Sequence, residues 1–347
     1  MKINQLLKIK DLQTKILFKN SSWVLGSNIL RAVLVFLRGI IIARGLGVEL
    51  FGTFNIIAAF AAIVHQFFGF PISSTIIKYG AEFLANKNYR KLTALIMSGF
   101  YISLGLAFLS TLVICGLTLL VYQVFFEDPD LETFVVLFAI ITSSSFIDNI
   151  SKTLLRLLYK FKEDAFIVII SAIIDLVIIA IVVYYNPRDF IAFFTAMLAG
   201  KLLVSILLNG ITFIYIKRLI KPYWKVPIQV LRYDYKNLIS YTMNNSGSRA
   251  LKTLMNNGDV LLIGALSGPV QVGFYNIAKK LAQSILIIID PLTLTLFPQL
   301  SLLIAEKKFV ETKVMIRKIT SLTLLPSAFV VFVLYFFKNE IIFYTYG

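Results

Sequence analysis

Residues 165–185 read AFIVIISAIIDLVIIAIVVYY, an apolar run whose one charge is Asp175. As a helix rising about 1.5 Å per residue, such a run crosses the roughly 30 Å of hydrocarbon in a bilayer. Similar runs recur on both sides of it. Nine spans are expected, at about 21–44, 52–77, 92–125, 133–158, 165–185, 190–216, 237–266, 272–303 and 319–337. Proline removes a backbone donor and kinks a helix, so breaks are expected near Gly69-Phe70-Pro71 and Asp290-Pro291. The fold class is therefore all-α, a polytopic membrane helix bundle. Composition agrees: 58% of the 347 residues are hydrophobic, 15% are charged, and mean hydropathy is +0.83. A soluble domain carries about 25% charged residues.

The formal charge of +16 does not point to nucleic acid, which needs a basic face on a soluble fold. The charge lies instead in short segments between apolar runs. One set holds Lys2, Lys8, Lys10, Lys15 and Lys19, then Lys78, Lys87, Arg90 and Lys91, then Arg156, Lys160 and Lys162. It continues through Lys217, Arg218, Lys221, Lys225, Arg232 and Lys236 to Lys307, Lys308, Lys313, Arg317 and Lys318. The alternate segments hold Arg188 and Lys338, and one reads Glu127-Asp128-Pro129-Asp130-Leu131-Glu132. Basic loops stay cytoplasmic, so the N-terminus is expected inside a multi-pass cytoplasmic-membrane protein. Residues 1–20 have no small-residue cleavage site and read as a basic cytoplasmic lead-in. The lone Cys115 lies in an apolar run and excludes an internal disulfide framework.

The chain also matches itself at an offset of 221 residues. Gly26-Ser27-Asn28-Ile29-Leu30-Arg31 aligns with Gly247-Ser248-Arg249-Ala250-Leu251-Lys252. Gly47 and Gly52 align with Gly268 and Gly273, and Phe54-Asn55-Ile56 with Tyr275-Asn276-Ile277. Six expected helices separate the copies, so both run in the same direction through the membrane. Parallel repeats about an axis along the membrane normal are a known transporter plan, with substrate bound between the halves. Residues 21–220 are then a first six-helix lobe. Residues 221–347 are a partial second lobe of three helices, which reads as a truncated product lacking about three more.

Ionisable groups inside spans cost several kcal/mol in lipid, so they face cavities or pair. Here they are Arg31 and Arg38, Asp148 and Lys152, Asp175, Lys201, Arg249, Lys252 and Asp259, Lys279 and Lys280, and Asp290. Arg31 and Arg38 share a helix face. Tyr241, Asn245, Arg249, Lys252, Asn256 and Asp259 recur at three- and four-residue spacing, which draws one polar stripe along a single helix. The repeat sets Arg31 beside Lys252 and Arg38 beside Asp259, as two walls of a central cavity would be set. Basic groups outnumber acids among them, and such a cavity attracts anions. Arg suits phosphate because its planar fork binds two oxygens. The expected substrate-binding set is Arg31, Arg38, Asn245, Arg249, Lys252, Asn256 and Asp259. Asp148, Lys152, Asp175, Lys201 and Asp290 are candidates for coupling or ion pairing. Asp148 and Lys152 stand at i, i+4 and read equally as a self-neutralising pair. Lys279 and Lys280 read equally as snorkelling to the outer interface. His65 reads as a hydrogen-bonded bundle residue.

The sequence carries no G-x-x-x-x-G-K-[ST] loop, no His/Cys set at metal-ligand spacing and no long outer loop to house a catalytic domain. No cofactor and no self-contained enzyme is expected. The stretch Arg44-Gly45-Leu46-Gly47-Val48-Glu49-Leu50-Phe51-Gly52-Thr53-Phe54 resembles the turn after the first helix of polysaccharide flippases. So do Asp259-Val260-Leu261-Leu262-Ile263-Gly264, Val272-Gly273-Phe274-Tyr275 and Phe297-Pro298 in the second half. These belong to the multidrug/oligosaccharidyl-lipid/polysaccharide exporter superfamily. The resemblance implies two six-helix lobes around a V-shaped cavity and alternating access. It also implies flipping of polyprenyl-pyrophosphate-linked oligosaccharide, with the bilayer and polysaccharide biosynthesis enzymes as partners and no nucleic acid.

Three other readings fit the sequence less well. A multidrug exporter of this fold would want cavity carboxylates for cationic substrates, and positives dominate here. A membrane glycosyltransferase or polymerase would want a sizeable outer loop. A non-transporting scaffold has only the short chain in its favour.

Overall fold

The structure is a computed structural model that describes residues 2–125, 131–220, 226–232, 234–244, 247–283, 308–337, 339–340 and 343. Among them the chain forms eleven α-helices, a 3-10 turn at Ile228–Leu231 and no strand. The helices are α1 (Lys2–Phe68), α2 (Ile72–Ala85), α3 (Tyr89–Phe125), α4 (Leu131–Ser143), α5 (Ser145–Leu157) and α6 (Phe161–Tyr185). They continue as α7 (Phe190–Ile220), α8 (Tyr235–Asn244), α9 (Gly247–Ser267), α10 (Pro269–Gln283) and α11 (Phe309–Phe336). Four stretches are long and apolar enough to cross a membrane among the described residues: Tyr89–Thr118, Glu132–Leu157, Phe161–Tyr185 and Phe190–Lys217. The outer surface of these helices is apolar; Phe108, Phe166 and Ile206 each stand more than 60% exposed. Water would not tolerate so many large apolar groups, and lipid does.

The nine expected spans hold in part. The first two stay two helices, the arms of the α1 range on either side of a sharp kink at Gly47 (φ 79°, ψ 170°), a conformation closed to residues with a Cβ. The second arm ends at Phe68, and α2 begins after Pro71, as the Gly69-Phe70-Pro71 break predicts. The span expected at 133–158 is two helices meeting at Ser144. Its hydroxyls compete for the backbone: Thr142 donates to the Phe138 and Ala139 carbonyls, and Ser144 to Ile141 at 2.8 Å. The span expected at 237–266 is α8 and α9, so the single stripe from Tyr241 to Asp259 is shared between two helices. The expected break at Asp290-Pro291 lies outside the described residues.

The core sits where both repeats meet. Phe51, Ile56, Ile57, Phe193 and Phe194 are fully buried, and Val260, Val272 and Ile277 from the second repeat join the same cluster. Phe54 anchors it, with Phe193 edge-on at 5.3 Å and Phe138 at 5.9 Å. A second cluster lies at the far end of the first lobe. There the linker residues Leu231 and Leu238 bury against Ile76, Phe83 and Leu92. Residues 226–232 and 234–244 are thus fastened to the first lobe, through Lys91–Asp234 (2.7 Å), Thr75–Thr242 (2.7 Å) and Lys78 over the Tyr241 ring (4.1 Å).

Candidate functional site

The repeat read from sequence appears as geometry. Gly47 and Gly268 are the two glycines with positive φ among the described residues, at 79° and 86°. Asn55 donates to the Phe51 carbonyl at 2.6 Å, and its counterpart Asn276 donates to Val272 at 3.0 Å. Gly52 packs against the Pro269 carbonyl, and Gly273 against the Val48 carbonyl. Val48 and Pro269 are themselves a repeat pair, so the contact is reciprocal. A Cβ at either glycine would overlap the other repeat's backbone. The two glycine turns therefore interlock in a tight seam between the repeats.

Charged residues lie along the helices that run from this seam. On α1, Arg38 pairs with Asp175 of α6 at 3.3 Å, and both side chains are partly exposed. Gly200 leaves room beside Asp175, because a Cβ there would stand 3.6 Å from its Oδ1. Deeper in the lobe, Asp148 is 2% exposed. It accepts hydrogen bonds from Lys201 (2.6 Å), Ser205 (2.5 Å) and Asn209 (3.2 Å). Those three donors are spaced four residues apart on one face of α7. Ser151 closes the network by donating to Asn209 Oδ1 at 2.5 Å.

The i, i+4 pairing of Asp148 with Lys152 does not form. The α7 donors claim the carboxylate, and Lys152 makes no ion pair among the described residues. Sequence reasoning missed Ser205 and Asn209. Their spacing from Lys201 was visible, but polar uncharged residues draw little notice beside charges.

Between α1, α4, α6 and α7 lies a cavity of about 180 Å³, lined in part by Arg38, Thr142, Ser145, Asp175 and Lys201. Sites for drug-sized ligands start near 300 Å³, so this space suits water or a small ion and is too small for an oligosaccharide. His65 stacks on Phe146 at 4.1 Å, and its buried Nε2 has no hydrogen-bond partner among the described residues.

In the second repeat Asp259 does not stand as a free counterpart of Arg38. Lys279 binds both its oxygens, at 2.9 and 2.7 Å, and the Tyr275 phenol donates to it as well. Lys279 also donates to the Asn256 carbonyl at 2.6 Å. Lys280 does not extend outward to an interface. It is largely buried, reaching back over the Phe51 ring at 4.5 Å. Arg31, Lys252 and Asn256 are exposed on α1 and α9. Arg249 lies on α9 with its side chain outside the described set, and Asn245 and Asp290 lie outside the described residues.

The charge balance follows. Asp148 and Asp175 are each matched by one cation, Lys201 and Arg38. Arg31, Lys152, Lys252 and Lys280 form no ion pair among the described residues. Arg31 lies close enough for its charge to act on both Arg38 and Lys152. No cluster of His, Cys, Asp or Glu that could hold a metal exists among the described residues.

A helical membrane bundle with two matching glycine turns, and with cations that form no ion pair among the described residues, now stands beside a direct comparison. The family described as "Polysaccharide biosynthesis protein" matches residues 17–304. The chain belongs to that family. The match takes in both glycine turns, the seam and the charged groups of the candidate site. Comparisons with curated proteins and with solved structures gave no match. As a polysaccharide biosynthesis protein, the chain has a polar interior that needs a purpose, because structural packing alone does not demand so many ionisable groups.

Proposed function

We propose that this polysaccharide biosynthesis protein is a flippase of the multidrug/oligosaccharidyl-lipid/polysaccharide exporter type. On this reading it moves polyprenyl-pyrophosphate-linked oligosaccharide across the cytoplasmic membrane by alternating access and has no enzymatic step of its own. The observation that carries the reading is positive charge with no ion partner among the described residues, on Arg31, Lys152, Lys252 and Lys280. A diphosphate headgroup supplies the missing acceptors, and an Arg takes two of its oxygens at once. The saccharide, too large for the 180 Å³ cavity within the first lobe, sits between the repeats. The positive-inside pattern puts the N-terminus in the cytoplasm and the glycine seam at the outer face. The charge-bearing space then opens inward, where the lipid-linked precursor is made. A cation exporter is less well supported, because Asp148 and Asp175 are already neutralised by Lys201 and Arg38.

The test is flipping of a fluorescent polyprenyl-diphosphate oligosaccharide in proteoliposomes. A charge-assisted hydrogen bond contributes about 1.5–3 kcal/mol, so losing one lowers headgroup capture roughly 10- to 100-fold. Arg31→Gln combined with Lys252→Gln should therefore slow flipping by at least about tenfold at unchanged protein level. Flipping at the parent rate in that variant would contradict the assignment.

A further inference from the structure

Lys280 reaches from one repeat to the other with no ion partner among the described residues. It lies on α10 seven residues beyond Gly273, about 10 Å along the helix from the seam. Its side chain crosses from the second repeat to the first. The ammonium sits over the Phe51 ring at 4.5 Å. The stem lies on the backbone of Gly39, where a Cβ would stand 3.1 Å from Nζ and 3.5 Å from Cδ. Gly39 thus provides the groove in which the lysine rests. Around it stand Arg38, close enough for its charge to act on Lys280, and no carboxylate within ion-pair distance among the described residues. Arg38 also leaves its buried Nε without a hydrogen-bond partner among the described residues.

The neighbouring lysine shows the contrast. Lys279 is satisfied within its own repeat by Asp259, Tyr275 and the Asn256 carbonyl. The repeat does not require either lysine, since Ala58 and Ala59 hold the equivalent places in the first copy. Lys280 is therefore an addition that ties one repeat to the other through an aromatic face alone.

We propose that Lys280 is an anion-responsive latch on the seam: seated on Phe51 and Gly39 it holds the two glycine turns together, and a phosphate group arriving between the repeats draws the ammonium away and frees the seam to open. A desolvated ammonium on an aromatic face is held less strongly than one bonded to a phosphate oxygen, so an incoming phosphate outcompetes Phe51. The assignment rests on the flippase reading above for the identity of the arriving phosphate. It names the side chain through which that phosphate would be sensed. In the inward-open arrangement this couples cargo arrival to release of the outer closure, so an empty carrier stays shut on that side.

Glu49 and Gln271 are exposed beside the two turns and serve as reporter positions. The chain with Cys115→Ser, Glu49→Cys and Gln271→Cys is spin-labelled in liposomes, and the distance distribution across the seam is measured with and without inorganic diphosphate. The latch predicts a single short distance for the parent, a longer population when diphosphate is added, and that longer population without diphosphate in Lys280→Met. Lys280→Arg keeps the short distance. Gly39→Ala, which fills the groove under the stem, shifts part of the population toward the long distance. An unchanged distribution in Lys280→Met overturns the latch, and so does a parent seam that diphosphate leaves unmoved. Flipping of the lipid-linked cargo is assayed on the same preparations. A seam that responds to diphosphate in a protein that does not flip the cargo overturns the cargo assignment and leaves the latch standing.

Discussion

The two repeats agree in backbone and differ in charge. Gly47 and Gly268 make the same left-handed turn, Asn55 and Asn276 make the same backward hydrogen bond, and Gly52 and Gly273 make the same close approach. Yet Arg38 in one copy faces Asp259 in the alignment, and Ala58-Ala59 face Lys279-Lys280. The first copy sends its charge outward to another helix, α6, through Arg38–Asp175. The second keeps its acid within its own helix pair through Asp259–Lys279. The shared features are those a two-fold seam requires sterically. The features that differ set the electrostatics of the space below it.

Six substitutions break or sharpen that comparison. The largest effect is expected at Asp148, an acid 2% exposed. Asp148→Ala leaves Lys201 without its counter-charge inside the lobe and should cost about 3–5 kcal/mol in detergent unfolding experiments, because uncompensated buried charge is severely penalised. Pairing it with Lys201→Met should recover most of the loss, a coupling that a double-mutant cycle reads directly. Next comes the seam. Gly52→Ala places a methyl against the Pro269 carbonyl and should cost about 1–3 kcal/mol, the usual range for overpacking. Gly273→Ala should match it, since the contact is reciprocal; a clear inequality between the two would show that the seam is not symmetric.

The Asp259–Lys279 pair, partly open to solvent, should be worth far less. Asp259→Asn is expected to change stability by no more than about 1 kcal/mol, measured by the same unfolding assay. Gly26→Ala is the smallest perturbation. A Cβ there meets nothing within 4 Å, and on helix propensity the change is stabilising by up to about 1 kcal/mol.

Much of this architecture was legible in the sequence. Apolar run length gives the helical membrane bundle, and the glycine and asparagine matches at an offset of 221 give the seam, because backbone geometry selects those residue types by sterics. The break before α2 follows from Pro71. Side-chain partners were less legible. Asp148 looked paired with Lys152 because i, i+4 neighbours are the nearest in sequence, while its real partners come from α7, more than fifty residues away. The stripe from Tyr241 to Asp259 assumed one uninterrupted helix. Instead Tyr241 on α8 is docked against Lys78 of the first lobe, while Asp259 on α9 turns to α10. For Lys280 the interfacial and cavity-facing readings stood equal, because composition gives only depth. Its contact with Phe51 depends on how two helices from different repeats cross.

The central claim is that the cations left without an ion partner among the described residues hold an anionic lipid headgroup. It is tested most directly by native mass spectrometry of the purified chain offered a polyprenyl-diphosphate oligosaccharide against an organic cation. The account predicts selective retention of the diphosphate lipid, reduced at least about tenfold by Arg31→Gln with Lys252→Gln. Preference for the cation, or equal retention of the diphosphate lipid by parent and variant, would contradict it.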